Sequence, residues 1–152
     1  MSIQQVLRQT SACNCANMRR AARAITKIYD KALEPSNLRA TQFAALMYIK
    51  GDGPLNISAL AKIMVLDRTT LVRNLKPLEA AGYIENIPTP DPRERRVQVT
   101  EEGRRVIGLA LPHWKEVQRR MSEQIGRENL NILERIVTVL ESSAIDNTEV
   151  SI

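Results

Sequence analysis

The chain has 152 residues, 43% of them apolar and 26% charged, which is enough apolar material for one compact core but too short a chain for a multidomain enzyme. Only 3% are aromatic, which argues against base-stacking platforms for single-stranded nucleic acid and leaves Leu, Ile, Val, Ala and Met to fill a helical interior. Lys and Arg number 22 against 17 Asp and Glu, and a basic surplus suits a polyanionic partner.

The opening MSIQQVLRQT lacks the basic and apolar regions of a secretory signal, and no apolar run reaches the ~18 residues of a membrane span. Cys13 and Cys15 sit too close to staple a fold, as expected for a soluble protein of a reducing cytoplasm. From Ala12 to Leu33, Met18, Ala21, Ala22, Ile25, Ile28, Tyr29, Ala32 and Leu33 form one helical stripe. Pro35, Ser36 and Asn37 interrupt it. Thr41 offers an N-cap to a second helix carrying Phe43, Leu46, Met47 and Ile49, which Gly51, Asp52, Gly53 and Pro54 end. Ser58 can cap a short helix with Leu60, Ile63 and Met64 inside.

After Val65 and Leu66 the chain restarts. Asp67 can cap a helix over Arg68 to Ala81, with Leu71, Leu75 and Leu78 inward and Gly82 closing it. Tyr83 to Ile87 and Arg96 to Val99 then alternate apolar and polar about the turn Pro88-Thr89-Pro90-Asp91-Pro92, which predicts a β-hairpin with a basic tip. Thr100 caps a long helical region whose first turn holds Glu101 and Glu102. Pro112 is expected to kink or split that region, and Gly126 precedes a last helix carrying Leu130, Leu133, Ile136, Val137 and Leu140.

Two short helices, a tight turn and a hairpin describe a winged helix-turn-helix. In that arrangement the second helix enters the major groove of double-stranded DNA and the hairpin tip reaches the neighbouring minor groove. The polar face of the second helix is read as Thr69, Thr70, Arg73, Asn74 and Pro77, with Arg68 at its amino end and Lys76 on the flank. Arg73 and Asn74 are the candidates for base edges, since Arg and Asn make bidentate contacts to guanine and adenine. The hairpin tip offers Arg93, Arg95 and Arg96, and a minor groove favours inserted arginine; Asp91 is placed to orient Arg93. A stripe of basic residues is often only a solvated helix face. A winged-helix module that docks on protein or RNA therefore stays open, favoured if Thr69, Thr70, Arg73 and Asn74 prove buried.

Ile57-Ser58-Ala59-Leu60-Ala61, then the run from Leu66 to Leu75, Leu78-Glu79-Ala80-Ala81-Gly82-Tyr83-Ile84, Asp91-Pro92-Arg93 and Val99-Thr100-Glu101-Glu102-Gly103 resemble the MarR family of bacterial transcription regulators. The resemblance implies a homodimer with two winged domains beneath a helical region formed by both chain ends. It implies that the helix from Arg68 reads the major groove and that Arg93 enters the minor groove. It also implies a small aromatic or phenolic effector in a crevice between the two regions, where Tyr29, Tyr48 and Trp114 are candidates, although aromatics on such stripes are more often core. The apolar stripes of the first and last helices support the dimer independently, because a small winged domain cannot cover them.

Cys13 and Cys15 lie at the start of the first helix, where free N–H groups and nearby Arg19 and Arg20 favour a thiolate. That position is similar to the redox-sensing branch of the family, so both are candidate redox sensors, although small half-buried thiols without a role are the commoner case. Metal binding across a dimer lacks a visible third ligand.

The expected fold is mainly α with a small β-hairpin wing (α+β). Residues 1–37 are read as an amino-terminal dimerisation helix, 38–100 as the winged DNA-binding domain and 101–152 as carboxy-terminal dimerisation helices. The expected activity is sequence-specific transcription regulation, as a repressor on a pseudo-palindromic operator, released by a ligand or by cysteine oxidation. Neither a cofactor nor an enzymatic function is expected, since there is no phosphate-binding glycine loop, only one histidine, His113, and no metal constellation.

Overall fold

A computed structural model describes residues 3–5, 13–91 and 93–149. Pro92, quoted above with the wing motif, and Ala12, where the first helix is expected to begin, lie outside the described residues. The elements run α1 (Asn14–Leu33), a 3-10 turn (Glu34–Ser36), α2 (Ala40–Asp52), β1 (Leu55–Asn56), α3 (Ile57–Ile63) and α4 (Arg68–Ala80). They continue with β2 (Ile84–Ile87), β3 (Arg96–Val99), α5 (Glu101–Ile125) and α6 (Arg127–Glu149). The fold is mainly helical with a small antiparallel wing. The hairpin is joined by a third strand that the sequence pattern does not signal, in the order β1-β3-β2. Leu55 faces Val97, and Ile84 faces Val99.

Side-chain burial explains the architecture. Leu71, Leu75 and Leu78 recur at helical spacing and are fully covered, meeting Leu46 and Ile49 of α2, Leu60 of α3 and Val97 of β3 in one core. Val106, Ile107 and Ala110 of α5 close the same core from the other side. Thus α5 belongs both to the winged unit and to the helical layer it forms with α1.

Several helix ends differ from the sequence expectation. Helix α2 starts at Ala40, and its first amide donates to Asp30 Oδ1 of α1 at 2.7 Å, so the acceptor comes from another helix and not from Thr41. Helix α3 is capped by Asn56, whose Oδ1 accepts from the Ala59 amide at 2.7 Å, while Ser58 lies already inside the helix. Helix α5 runs unbroken through Pro112. That proline is exposed, and buried residues flank it on both sides, Ala110 before and Val117 after, so packing of both halves of α5 overrides the proline's local cost. Asp67 and Thr100 cap α4 and α5 as expected, accepting from the amides of Thr70 at 2.8 Å and Gly103 at 3.0 Å.

Both helices of the helix-turn-helix end in the same hydrogen-bonded motif. After α4, Gly82 takes a φ of +70° and its amide donates to Glu79 O, while Tyr83 N donates to Leu78 O. After α3, Val65 N donates to Lys62 O and Leu66 N to Ala61 O, but the left-handed residue is Val65 at +52°. A β-branched residue there pays for Cβ crowding against the carbonyl, and Val65 is 61% exposed, so little packing offsets it. Gly103 is constrained in the opposite way. A Cβ at Gly103 would run into the Tyr83 carbonyl oxygen and lie 2.7 Å from Val99 Cγ1.

Urea unfolding should therefore show Val65→Gly raising stability by about 1 kcal/mol. Gly103→Ala should lower it by about 2–3 kcal/mol through overpacking.

Candidate nucleic-acid interface

At about 100° per residue, the buried Leu71, Leu75 and Leu78 stripe of α4 leaves Thr69, Arg73 and Lys76 on the far side. All three are exposed, as is Arg68 at the amino end. Arg68, Thr69, Val72, Arg73 and Lys76 line one open depression of about 360 Å³. Among the described residues, none holds Arg68, Arg73 or Lys76 in an ion pair or side-chain hydrogen bond. This surface thus presents three cations with their donors free.

Thr70 and Asn74 sit differently from the sequence expectation. Thr70 is half-buried, and its hydroxyl donates to Asp67 Oδ2 at 2.6 Å while its amide donates to Oδ1. Its donor is therefore spent inside the cap. Asn74 is also half-buried, because about 60° separates it from the Leu71 direction, on the edge of the buried stripe.

The wing tip is ordered by its own polar groups. Asp91 Oδ1 accepts from the backbone amide of Arg93 at 2.9 Å, so Asp91 shapes the turn beneath Arg93 and does not hold its guanidinium. The Thr89 hydroxyl lies 2.6 Å from Asp91 O and 3.0 Å from Glu94 O, and Glu94 N donates to Asp91 O at 3.0 Å. Arg93 is exposed and, among the described residues, has no ion-pair partner. Arg96 is exposed too, but its Nε donates to Glu94 Oε1 at 2.8 Å. Arg95 turns away from the tip, with Nε donating to Asn86 Oδ1 at 2.7 Å and Nη2 to Glu79 Oε1. Glu79 and Thr89 stand in segments quoted above and Asn86 in the predicted hairpin, but the sequence does not signal their roles, since each acts only through a partner distant in sequence or through a backbone carbonyl.

The other candidates lie away from this surface. Tyr29, Tyr48 and Trp114 come together with Leu33, Phe43 and Met47 around an apolar cleft of about 390 Å³ between α1, α2 and α5. The Phe43 and Trp114 rings are 6.0 Å apart, and the Tyr29 hydroxyl donates to Gln118 Oε1 at 2.5 Å. Burial raises the Tyr29 phenol above its ordinary range. Cys13 and Cys15 are free and exposed at the start of α1. No cluster that could hold a metal ion occurs among the described residues, and no described helix is long and apolar enough to cross a membrane.

The Asp67 carboxyl is held below its usual range by the hydroxyl and amide of Thr70. Its folded form binds a proton less readily than its unfolded form, so the cap contributes fully above the ordinary carboxylate range and is lost as pH falls through the folded value. Unfolding compared between about pH 5 and about pH 3 should show a steeper loss of stability for the wild type than for Asp67→Asn, which lacks this proton linkage.

The model of the MarR family matches residues 38–97. The HTH-type transcriptional regulator SarZ of Staphylococcus aureus (strain USA300) is 32% identical over 87 residues, which cover 57% of this chain and 59% of that protein. The chain spans between half and two thirds of the length of the curated relatives it matches. The crystal structure of the M. tuberculosis transcriptional regulator MosR in complex with DNA is 34% identical, with a TM-score of 0.79 over 88% of this chain and 97% of that one. A mutant MarR from E. coli in complex with operator DNA has the same fold, with a TM-score of 0.75 at 18% identity over 92% of this chain and 99% of that one.

Proposed function

This chain belongs to the MarR family, and from that premise we propose that it is a sequence-specific, homodimeric regulator of transcription that represses by occluding promoter DNA. The observation that carries the reading is the pairing of an exposed, internally unpaired basic face on α4 with the unpaired Arg93 at the wing tip. Arg73 would read base edges in the major groove, flanked by Arg68, Thr69 and Lys76 on phosphates, and Arg93 would enter the minor groove. Thr70, Asn74 and Arg96 would contribute at the margins of this footprint, the first two from half-buried positions and Arg96 alongside Glu94. Of the four residues whose burial would favour docking on protein or RNA, Thr69 and Arg73 are exposed, Thr70 and Asn74 are half-buried and none is buried, which weighs against that alternative.

The dimer rests on apolar surface that one chain leaves uncovered. Ile132, Leu133, Ile136, Val137, Val139 and Leu140 are all exposed on α6, as are Met18 and Ile28 on α1. Joining two such faces about a two-fold axis gives paired recognition helices and a pseudo-palindromic operator with half-sites about 10 bp apart. In this reading residues 1–37 and 101–152 would form the dimer layer and 38–100 the winged unit, with the first half of α5 shared through Val106, Ile107 and Ala110. Release would come from a small aromatic or phenolic ligand in the cleft lined by Tyr29, Tyr48 and Trp114, or from oxidation of Cys13 or Cys15.

Selection from random duplexes followed by salt titration, with and without peroxide, tests this reading. An enriched inverted repeat with a steep salt slope is expected, and failure to enrich any duplex would overturn it. Arg73→Ala should relax sequence preference by about 1–3 kcal/mol at one position of each half-site. Arg93→Ala should weaken binding and flatten the salt slope by about 0.9 for each phosphate charge it no longer neutralises.

For the dimer, Ile136→Glu should shift sedimentation from a dimeric to a monomeric species. Retention of the dimer would place the interface elsewhere.

A further inference from the structure

Arg95 is the one wing cation whose side chain faces inward, and its contacts reach α3, α4 and β2. Its Nη2 donates to Glu79 Oε1 on α4, and its Nε donates to Asn86 Oδ1 on β2 at 2.7 Å. Asn86 Nδ2 donates in turn to the same Glu79 oxygen at 3.4 Å, closing a ring of three side chains. The backbone carbonyl of Arg95 accepts from Ile57 N at 3.0 Å, which satisfies the first free amide of α3. One residue therefore ties together both helices of the helix-turn-helix and both strands of the hairpin. The ion pair is only partly wet, with the Arg95 and Glu79 side chains 30% and 26% exposed.

We infer that Arg95 is a positioning residue and not a DNA contact: with Glu79 and Asn86 it fixes the wing relative to α4, and so sets the spacing between the major-groove and minor-groove contacts. This rests on the DNA-binding reading above. The physical basis is preorganisation. Arg93 sits two residues before Arg95, so an untied wing would have to be ordered at the moment of binding, and that entropy would be subtracted from affinity. The planar guanidinium suits the role because two of its N–H groups meet acceptors on two different elements at once, which the ammonium of lysine does poorly.

Glu79 makes the inference decidable, because the two possible roles of Arg95 predict opposite effects when it is removed. If Arg95 contacts phosphate and Glu79 merely restrains it, Glu79→Ala frees a cation, deletes a negative charge near DNA and tightens binding. If the ring positions the wing, Glu79→Ala weakens binding despite the favourable change in charge. The expected loss is about tenfold, the scale of one charge-assisted hydrogen bond.

The experiment uses the full chain and the duplex that the wild type enriches. Binding isotherms over a range of salt are recorded for wild type, Glu79→Ala, Arg95→Gln and the double variant, with hydrogen exchange of residues 84–99 measured on each protein without DNA. The inference expects faster wing exchange, weaker binding in both single variants with an unchanged salt slope, and a double variant no worse than either single one. It is overturned if Glu79→Ala binds more tightly, if Arg95→Gln flattens the slope by about 0.9, or if wing exchange is unchanged in Glu79→Ala. The exchange result is read without DNA, so it tests the brace even if the wild type enriches no duplex, an outcome that would sink the regulator reading instead.

Discussion

Where the wing returns to the helices, the first turn of α5 lies against the backbone that leaves α4, and the contact is too close for any side chain at Gly103. Thr100 secures the same junction with three hydrogen bonds. Its amide donates to Tyr83 O at 3.0 Å, its hydroxyl donates to Gly82 O at 2.6 Å, and that hydroxyl accepts from Gly103 N at 3.0 Å. Strand β3 ends at Val99 and α5 begins at Glu101, so the junction fixes the hairpin, the end of α4 and the long helix to one another. The placement of every basic group on α4 and the wing depends on it.

From that junction the chain divides its surfaces by chemistry. The winged unit buries its leucines and turns cations outward, while α1 and α6 leave apolar faces uncovered. Helix α5 takes part in both, burying Val106, Ile107 and Ala110 in the winged core while packing along α1. Its ion pairs, Arg104 with Glu101, Arg105 with Glu102 and Arg119 with Glu116 and Glu123, lie on the exposed side and contribute little to stability. The aromatic cleft sits where α1, α2 and α5 meet. A ligand there would act on DNA affinity only as far as the cleft differs between conformations of the two regions, since coupling is a difference in affinity for two states.

Local chemistry made part of this legible in the sequence. Asp67 and Thr100 are short polar side chains directly before a helix, and Gly82 is a glycine directly after one, so each announces its own role. Val65 occupies the same left-handed site as Gly82 yet carries the opposite propensity, because the hydrogen bonds closing α3 set its conformation. Pro112 does not split its helix for a related reason: a helix held by buried residues on either side of the proline does not need every local bond. The acceptor for the first amide of α2 is Asp30, ten residues upstream on another helix, and β1 is only two residues long, so neither leaves a periodic trace.

The sequence by itself determined the order of helices, the hairpin, the buried leucine stripe of α4 and the charged face opposite it, whereas Ile63, expected inside α3, is 40% exposed. These follow from periodicity and from side chains acting on their own backbone, which are short-range effects. Only the tertiary structure decided which basic residues are free. The family resemblance singles out Arg93, but nothing in the spacing shows that Arg95, two residues on in the same basic tip, is taken by Glu79 and Asn86 while Arg93 stays exposed. An arginine's availability depends on which acceptors the fold brings within hydrogen-bond reach, and the Glu79 carboxylate, sixteen residues away in the chain, arrives there only through the packing of α4 against the wing.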